Sequence, residues 1–147
     1  MEAALLKLEV YHLAHDLAVS IHAMSLHLPD IERFEEAQQI RRSSKRVAAS
    51  IVEGHTLRKH KRQYLSYLYR GLASSDETQE HLKLLKDTGS LKDDVLFKSL
   101  LTRGEELSRK MFSLIQTIER RYDTPQYLEN PGLEAPDDTD VDVDSGG

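Results

Sequence analysis

Between residues 41 and 62 the chain carries eight Lys or Arg (Arg41, Arg42, Lys45, Arg46, Arg58, Lys59, Lys61 and Arg62) against one acid, Glu53, and two histidines, His55 and His60. Cations at that density gather phosphates, because each neutralised phosphate releases condensed counterions and no base-specific geometry is needed. The same residues also suit a solvated or ion-paired helix face, and on sequence alone both readings stay open. Tyr64, Tyr67 and Tyr69 follow directly and offer rings on which bases stack, but their helical spacing assigns them first to core or interface packing.

Other chemistry is thinly supplied. His12 and His15 stand at a spacing that can place two imidazoles on one metal, and His22 lies two turns further along. No carboxylate completes the set, since Asp16 projects about 100° away from His15 on a helix. These histidines read as solvent-facing or interface residues, and neither a metal nor any other cofactor is expected. The sequence has no glycine-rich phosphate loop, no hydrolase elbow and no metalloprotease helix. With no cysteine, it has no thiolate chemistry or disulfide framework either. An enzyme is not expected.

The elements that must position the cations are helical. Leu6, Val10, Leu13, Leu17, Ile21, Met24 and Leu28 step by three or four residues, which predicts a first helix over about 4 to 27. Leu28-Pro29-Asp30 ends it, because proline lacks an amide donor and pushes the preceding residue out of the helical region. A second helix is predicted over about 34 to 53, with Gly54 as its left-handed cap. On it Ile40, Ser44, Val47 and Ile51 share one edge and Arg41, Arg42, Lys45 and Arg46 the other, while Ser43, Ala48 and Ala49 leave room for a close neighbour. A third helix, over about 60 to 88, turns Tyr64, Tyr67 or Leu68, Gly71, Ser75, Thr78, Leu82 and Leu85 inward and closes at Gly89. Ser90-Leu91-Lys92-Asp93 resembles a capping box opening a fourth helix, which ends near Tyr122. Its inward face is Leu96, Leu100, Gly104, Leu107, Met111, Leu114 and Ile118.

Four amphipathic helices with short links and no alternating strand pattern predict an all-α, antiparallel up-and-down four-helix bundle over residues 1–122. Leu5, Leu8, Tyr11, Tyr69, Leu72, Phe97, Leu101 and Phe112 make a second apolar strip that a monomer leaves uncovered, the mark of an interface. Residues 123–147 hold eight acids and no Lys or Arg, so the net charge of −5 conceals a body of +3. This segment has three of the four prolines and little to bury, and is expected to be disordered. It reads as a solubilising tail, or as an acidic mimic of nucleic acid that folds back on the basic face. The N-terminal MEAALLKLEVYHLAHDL, broken by Glu2, His12 and Asp16, is neither a signal peptide nor a membrane span, and a cytoplasmic protein is expected.

One ordered set of residues resembles a known pattern. Pro29, Glu32-Arg33-Phe34, Gln39-Ile40-Arg41-Arg42, Ser50-Ile51-Val52-Glu53-Gly54, Tyr67-Leu68, Ala73-Ser74 and Glu77 are similar to the bacterial four-helix-bundle proteins encoded in large-subunit ribosomal RNA intervening sequences. Leu8, Val10, Ala14 and Leu17 fit the first helix of that family, and the likeness covers about residues 5 to 120. It departs where Ala48 stands for Pro, Ser50 for Asn, Val52 for Ala and Ala73 for Gly. The resemblance implies a bundle assembled as a homopentameric ring with a central channel, and no established reaction. The family is similar in turn to accessory proteins of diversity-generating retroelements, whose basic pentameric barrels bind nucleic acid and a reverse transcriptase. The expectation is therefore a non-enzymatic homo-oligomer that binds RNA or DNA through its eight clustered cations. The alternative is a protein-interaction scaffold, with a reverse transcriptase among its partners. Glu53 and Glu77 match pattern positions, and with Arg42 they are expected to form an internal ion-pair network between the second and third helices.

Overall fold

A computed structural model describes residues 2–122, with side chains from 6 to 121. The expectations for the acidic segment 123–147, and for Leu5 in the apolar strip, lie outside the described residues. Four helices form: α1 (Glu2–Ser25), α2 (Glu36–Thr56), α3 (Lys61–Asp87) and α4 (Asp94–Tyr122), with one 3-10 turn over Asp30–Glu32 and no strand among the described residues. Each helix packs on the next and α4 returns to α1, while the diagonal pairs bring no Cα atoms within 8 Å of each other. With links this short, successive helices run antiparallel, which gives an up-and-down bundle.

The helix ends are set by local chemistry. At the end of α1, Ser25 Oγ donates to the His22 carbonyl at 2.7 Å, while the amides of Leu26 and His27 turn to carbonyls three residues back. Pro29, at φ −55° and ψ 151°, then redirects the chain into the 3-10 turn. Two predicted caps move. Gly54 does not end α2, which continues to Thr56; a Cβ there would lie 3.3 Å from Tyr67 Cβ and 3.4 Å from Tyr64 Cδ2. Glycine suits position 54 because α2 and α3 approach closely there, not because the backbone turns left-handed. The left-handed cap is Gly89, at φ 82°, whose amide donates to Lys86 O while Leu91 N–H reaches Leu85 O. The residue capping α4 is Asp93 rather than Ser90: Asp93 Oδ1 accepts the Leu96 amide at 3.0 Å, three residues later than the capping-box reading.

Two adjoining clusters make up the core. The larger joins Val10, Leu17 and Ile21 of α1, Ile40, Val47 and Ile51 of α2, Leu82 and Leu85 of α3, and Leu100, Leu107 and Met111 of α4. The smaller, Tyr64, Leu68, Leu114, Ile115 and Ile118, closes the end where α3 begins and α4 finishes. Buried hydroxyls are paired. Thr78 Oγ1 donates to Ser74 O at 2.7 Å, which leaves Ser43 Oγ to donate to Thr78 at 2.8 Å, tying α2 to α3. Small residues on α2 thus serve close packing, as their pattern predicts. The second apolar strip is narrower than expected: Leu8, Tyr69 and Phe112 are exposed, whereas Tyr11, Leu72 and Phe97 lie half-buried against the core.

Candidate nucleic-acid interface

The cations of α2 divide into two rows because residues four apart share a flank of the helix. Arg41 and Lys45 lie toward α1. Arg41 Nη1 donates to Ser25 Oγ at 3.0 Å, and Lys45 with His15, Ala18, Val19, His22 and Ala48 lines a groove of about 310 Å³ between α1 and α2. Arg42 and Arg46 lie exposed toward α3. Arg46 Nη1 approaches Glu77 Oε2 at 3.9 Å, with the side chains 55% and 45% exposed, so the pair is screened by water and leaves the cation available.

The second group sits at the link between α2 and α3. Arg58 Nη1 donates to His55 O at 3.1 Å, which orders the guanidinium at the end of α2. Arg62 opens a shallow concavity of about 540 Å³, lined by Leu57, Gln63, Ser66, Tyr67 and Arg70. Within it the exposed Arg70 guanidinium lies 5.1 Å from the Tyr67 ring centroid, a cation–π contact. Lys59 and Lys61 flank the same link.

The cluster that is continuous in sequence is therefore split in space. Arg46 and Arg58 are twelve residues apart, on the order of 18 Å along a helix, with exposed Glu53 between them. Arg70 spans that gap from the neighbouring helix. Arg46 reaches Glu77 and Gly54 lies against Tyr67, so the antiparallel register brings Arg70 level with the last turns of α2. Arg42, Arg46, Arg70 and Arg62 follow one another along one seam. Sequence reading missed Arg70, although its i, i+4, i+8 spacing with Ser66 and Arg62 carried a signal.

The expected network of Arg42, Glu53 and Glu77 does not form inside the bundle. All three residues are exposed, and Glu77 turns instead to Arg46 and to His81, whose Nε2 lies 3.8 Å from Glu77 Oε1. Arg42 and Glu53 are eleven residues apart on α2, about 16 Å along the axis, too far to pair with each other. The polar contact that does join α2 and α3 runs from His81 Nδ1 to Glu36 Oε2 at 2.5 Å, with Nδ1 as donor to the carboxylate. Between α3 and α4, Gln79 Nε2 donates to Ser108 Oγ at 2.7 Å and Gly104 O at 3.0 Å, and Ser108 donates to Asp76 Oδ1 at 2.7 Å. Elsewhere Asp94 sits below the usual carboxylate range through its bonds to Lys86 and Lys98, and Lys110 is held above the usual amine range by Glu9 and Glu106.

His12 and His15 flank the Tyr11 ring, at 5.4 and 5.9 Å between centroids. Among the described residues no group of three or more His, Asp or Glu gathers as a metal ion would need, and no helix is long and apolar enough to cross a membrane.

Comparison with known proteins adds a family and a fold. The family described as 23S rRNA-intervening sequence protein matches residues 6–113. A crystal structure at 1.70 Å of a protein of unknown function from the S23 ribosomal protein family of Bacteroides thetaiotaomicron superposes with a TM-score of 0.69 at 22% identity, covering 76% of this chain and 98% of that one. At that identity the likeness speaks for the four-helix fold alone. No protein of curated function matches the sequence.

Proposed function

The chain belongs to the 23S rRNA-intervening sequence protein family, and on that premise we propose that it is a non-enzymatic bundle that binds nucleic acid on the α2–α3 seam as a homo-oligomeric ring. The observation that carries this reading is the row Arg42, Arg46, Arg70 and Arg62, which lies along one seam and ends in the concavity beside Tyr67. Guanidinium groups spaced along a seam engage successive phosphates without reading bases, and Tyr67 offers an edge for an unpaired base. Self-association is favoured by Leu8, Tyr69 and Phe112, apolar side chains exposed on three helices. The resemblance to ring-forming relatives supplies the number five. Five copies would multiply a modest basic row into a strong field.

A fluorescence-anisotropy titration of a labelled RNA hairpin tests the row. The full chain binds, and the double substitution Arg42→Glu, Arg46→Glu weakens binding by at least about tenfold at low salt while the circular dichroism of the bundle is unchanged. A folded variant that binds as the parent does would remove the seam from the mechanism. A second reading, a scaffold for a protein such as a reverse transcriptase, is favoured by Leu26, Ile31 and Phe34, exposed together around the α1–α2 link.

A further inference from the structure

We infer that the acidic segment 123–147 of the same chain docks on the cationic end of the bundle, against Lys59, Lys61, Arg62 and Arg70, and so holds the surface nucleic acid would take. The docking stands on topology and charge; the competition rests on the nucleic-acid reading.

Topology puts the segment there. α4 descends to the end where α2 finishes and α3 begins: Ile118 packs with Tyr64 and Leu68, and Tyr69 Oη donates to Glu119 Oε1 at 2.8 Å. The end of α4, at Tyr122, therefore lies beside the α2–α3 link. That link, residues 57–60, and the first helical residues after it carry four Lys or Arg and no acid, and Lys7 joins them through its bond to His55 Nδ1 at 2.8 Å. The opposite end is acidic on balance: the α1–α2 link and the start of α2 hold Asp30, Glu32, Glu35 and Glu36 against Arg33, and the α3–α4 link with its flanking turns holds Asp87, Asp93 and Asp94 against Lys86, Lys92 and Lys98. The bundle thus has a charge axis, and the acidic segment starts at its positive end.

Charge and length fit as well. Six of the eight acids fall between Glu134 and Asp144, with no Lys or Arg among them. Glu134 lies twelve residues beyond Tyr122, a contour of up to about 40 Å, enough to cross the end of a bundle two helices wide at about 10 Å each. A tethered acidic run meets the link at an effective concentration on the order of millimolar, and a free polyanion must displace it.

Zero-length carbodiimide coupling of carboxylates to lysines, mapped by mass spectrometry on the full chain, tests the docking. Coupling from Asp137–Asp144 to Lys59 or Lys61 is expected, with none to Lys92 or Lys98 at the far end. In a mixture of ¹⁴N and ¹⁵N protein the coupled peptides should be of single isotope; mixed pairs alone would assign the segment to a second copy and overturn the proposal, as would coupling spread over both ends. Changing the six acids to Asn or Gln should then tighten binding of the RNA hairpin by about tenfold. Unchanged RNA affinity would overturn the competition. Specific coupling with no RNA bound by either protein upholds the docking and sinks the nucleic-acid reading instead.

Discussion

Glu32 shows how a single side chain can be visible in sequence while its environment is not. It belongs to the Glu32-Arg33-Phe34 run, yet nothing in the sequence marks it as buried; the 3-10 turn after Pro29 leaves it 7% exposed, with Oε2 making no hydrogen bond. Burial first, and then the charges of Glu35 and Glu36, push its carboxyl above the ordinary glutamate range. A carboxyl raised in this way contributes stability below its unfolded pKa and loses it as pH rises through the folded value. Glu32→Gln should therefore melt higher than the parent at pH 7, with the difference closing as pH falls below about 4. Calorimetry across that range checks it, and a variant that melts lower at pH 7 would contradict the burial argument. The candidate cations behave in the same way: all eight were legible as charge, but nothing in the sequence shows that Arg41 is drawn into a bond with Ser25 or that Arg70 joins Arg42 and Arg46 through the register of another helix.

At the scale of the element, the helices themselves were readable because burial sets their periodicity. Val10, Leu17 and Ile21, or Leu100, Leu107 and Met111, recur on one face and are fully or nearly fully buried. Their ends were less readable, since a cap is decided by one or two hydrogen bonds. Gly54 and Gly89 look alike in sequence, yet one is a contact point between helices and the other a left-handed turn. Ser90 and Asp93 present the same ambiguity with a measurable consequence. Asp93→Ala should cost about 1 kcal/mol of stability in chemical denaturation, and Ser90→Ala should cost next to nothing. The reverse order of effects would restore the capping box to Ser90. The departures from the family pattern also find their places here: Ala48 lies in the uninterrupted α2 and lines the groove against α1, and Ser50 packs where a Cβ on Gly71 would come within 3.3 Å.

The whole molecule is a bundle with a positive end, an acidic opposite end, a basic seam between two helices and a few apolar side chains left outward. The bundle was legible because four stripes with short links leave little choice of topology. The split of the cationic cluster was not, because proximity along a chain does not convey distance along a helix. The oligomer and its ligand belong to this scale, and light scattering coupled to size exclusion, on the full chain with and without a short structured RNA, tests them together. The expected result is a particle near five times the 16.8 kDa chain mass that gains mass when RNA is added. A particle that elutes at the mass of one chain, or a ring whose mass RNA leaves unchanged, would contradict the proposal that this bundle binds nucleic acid as a homo-oligomer.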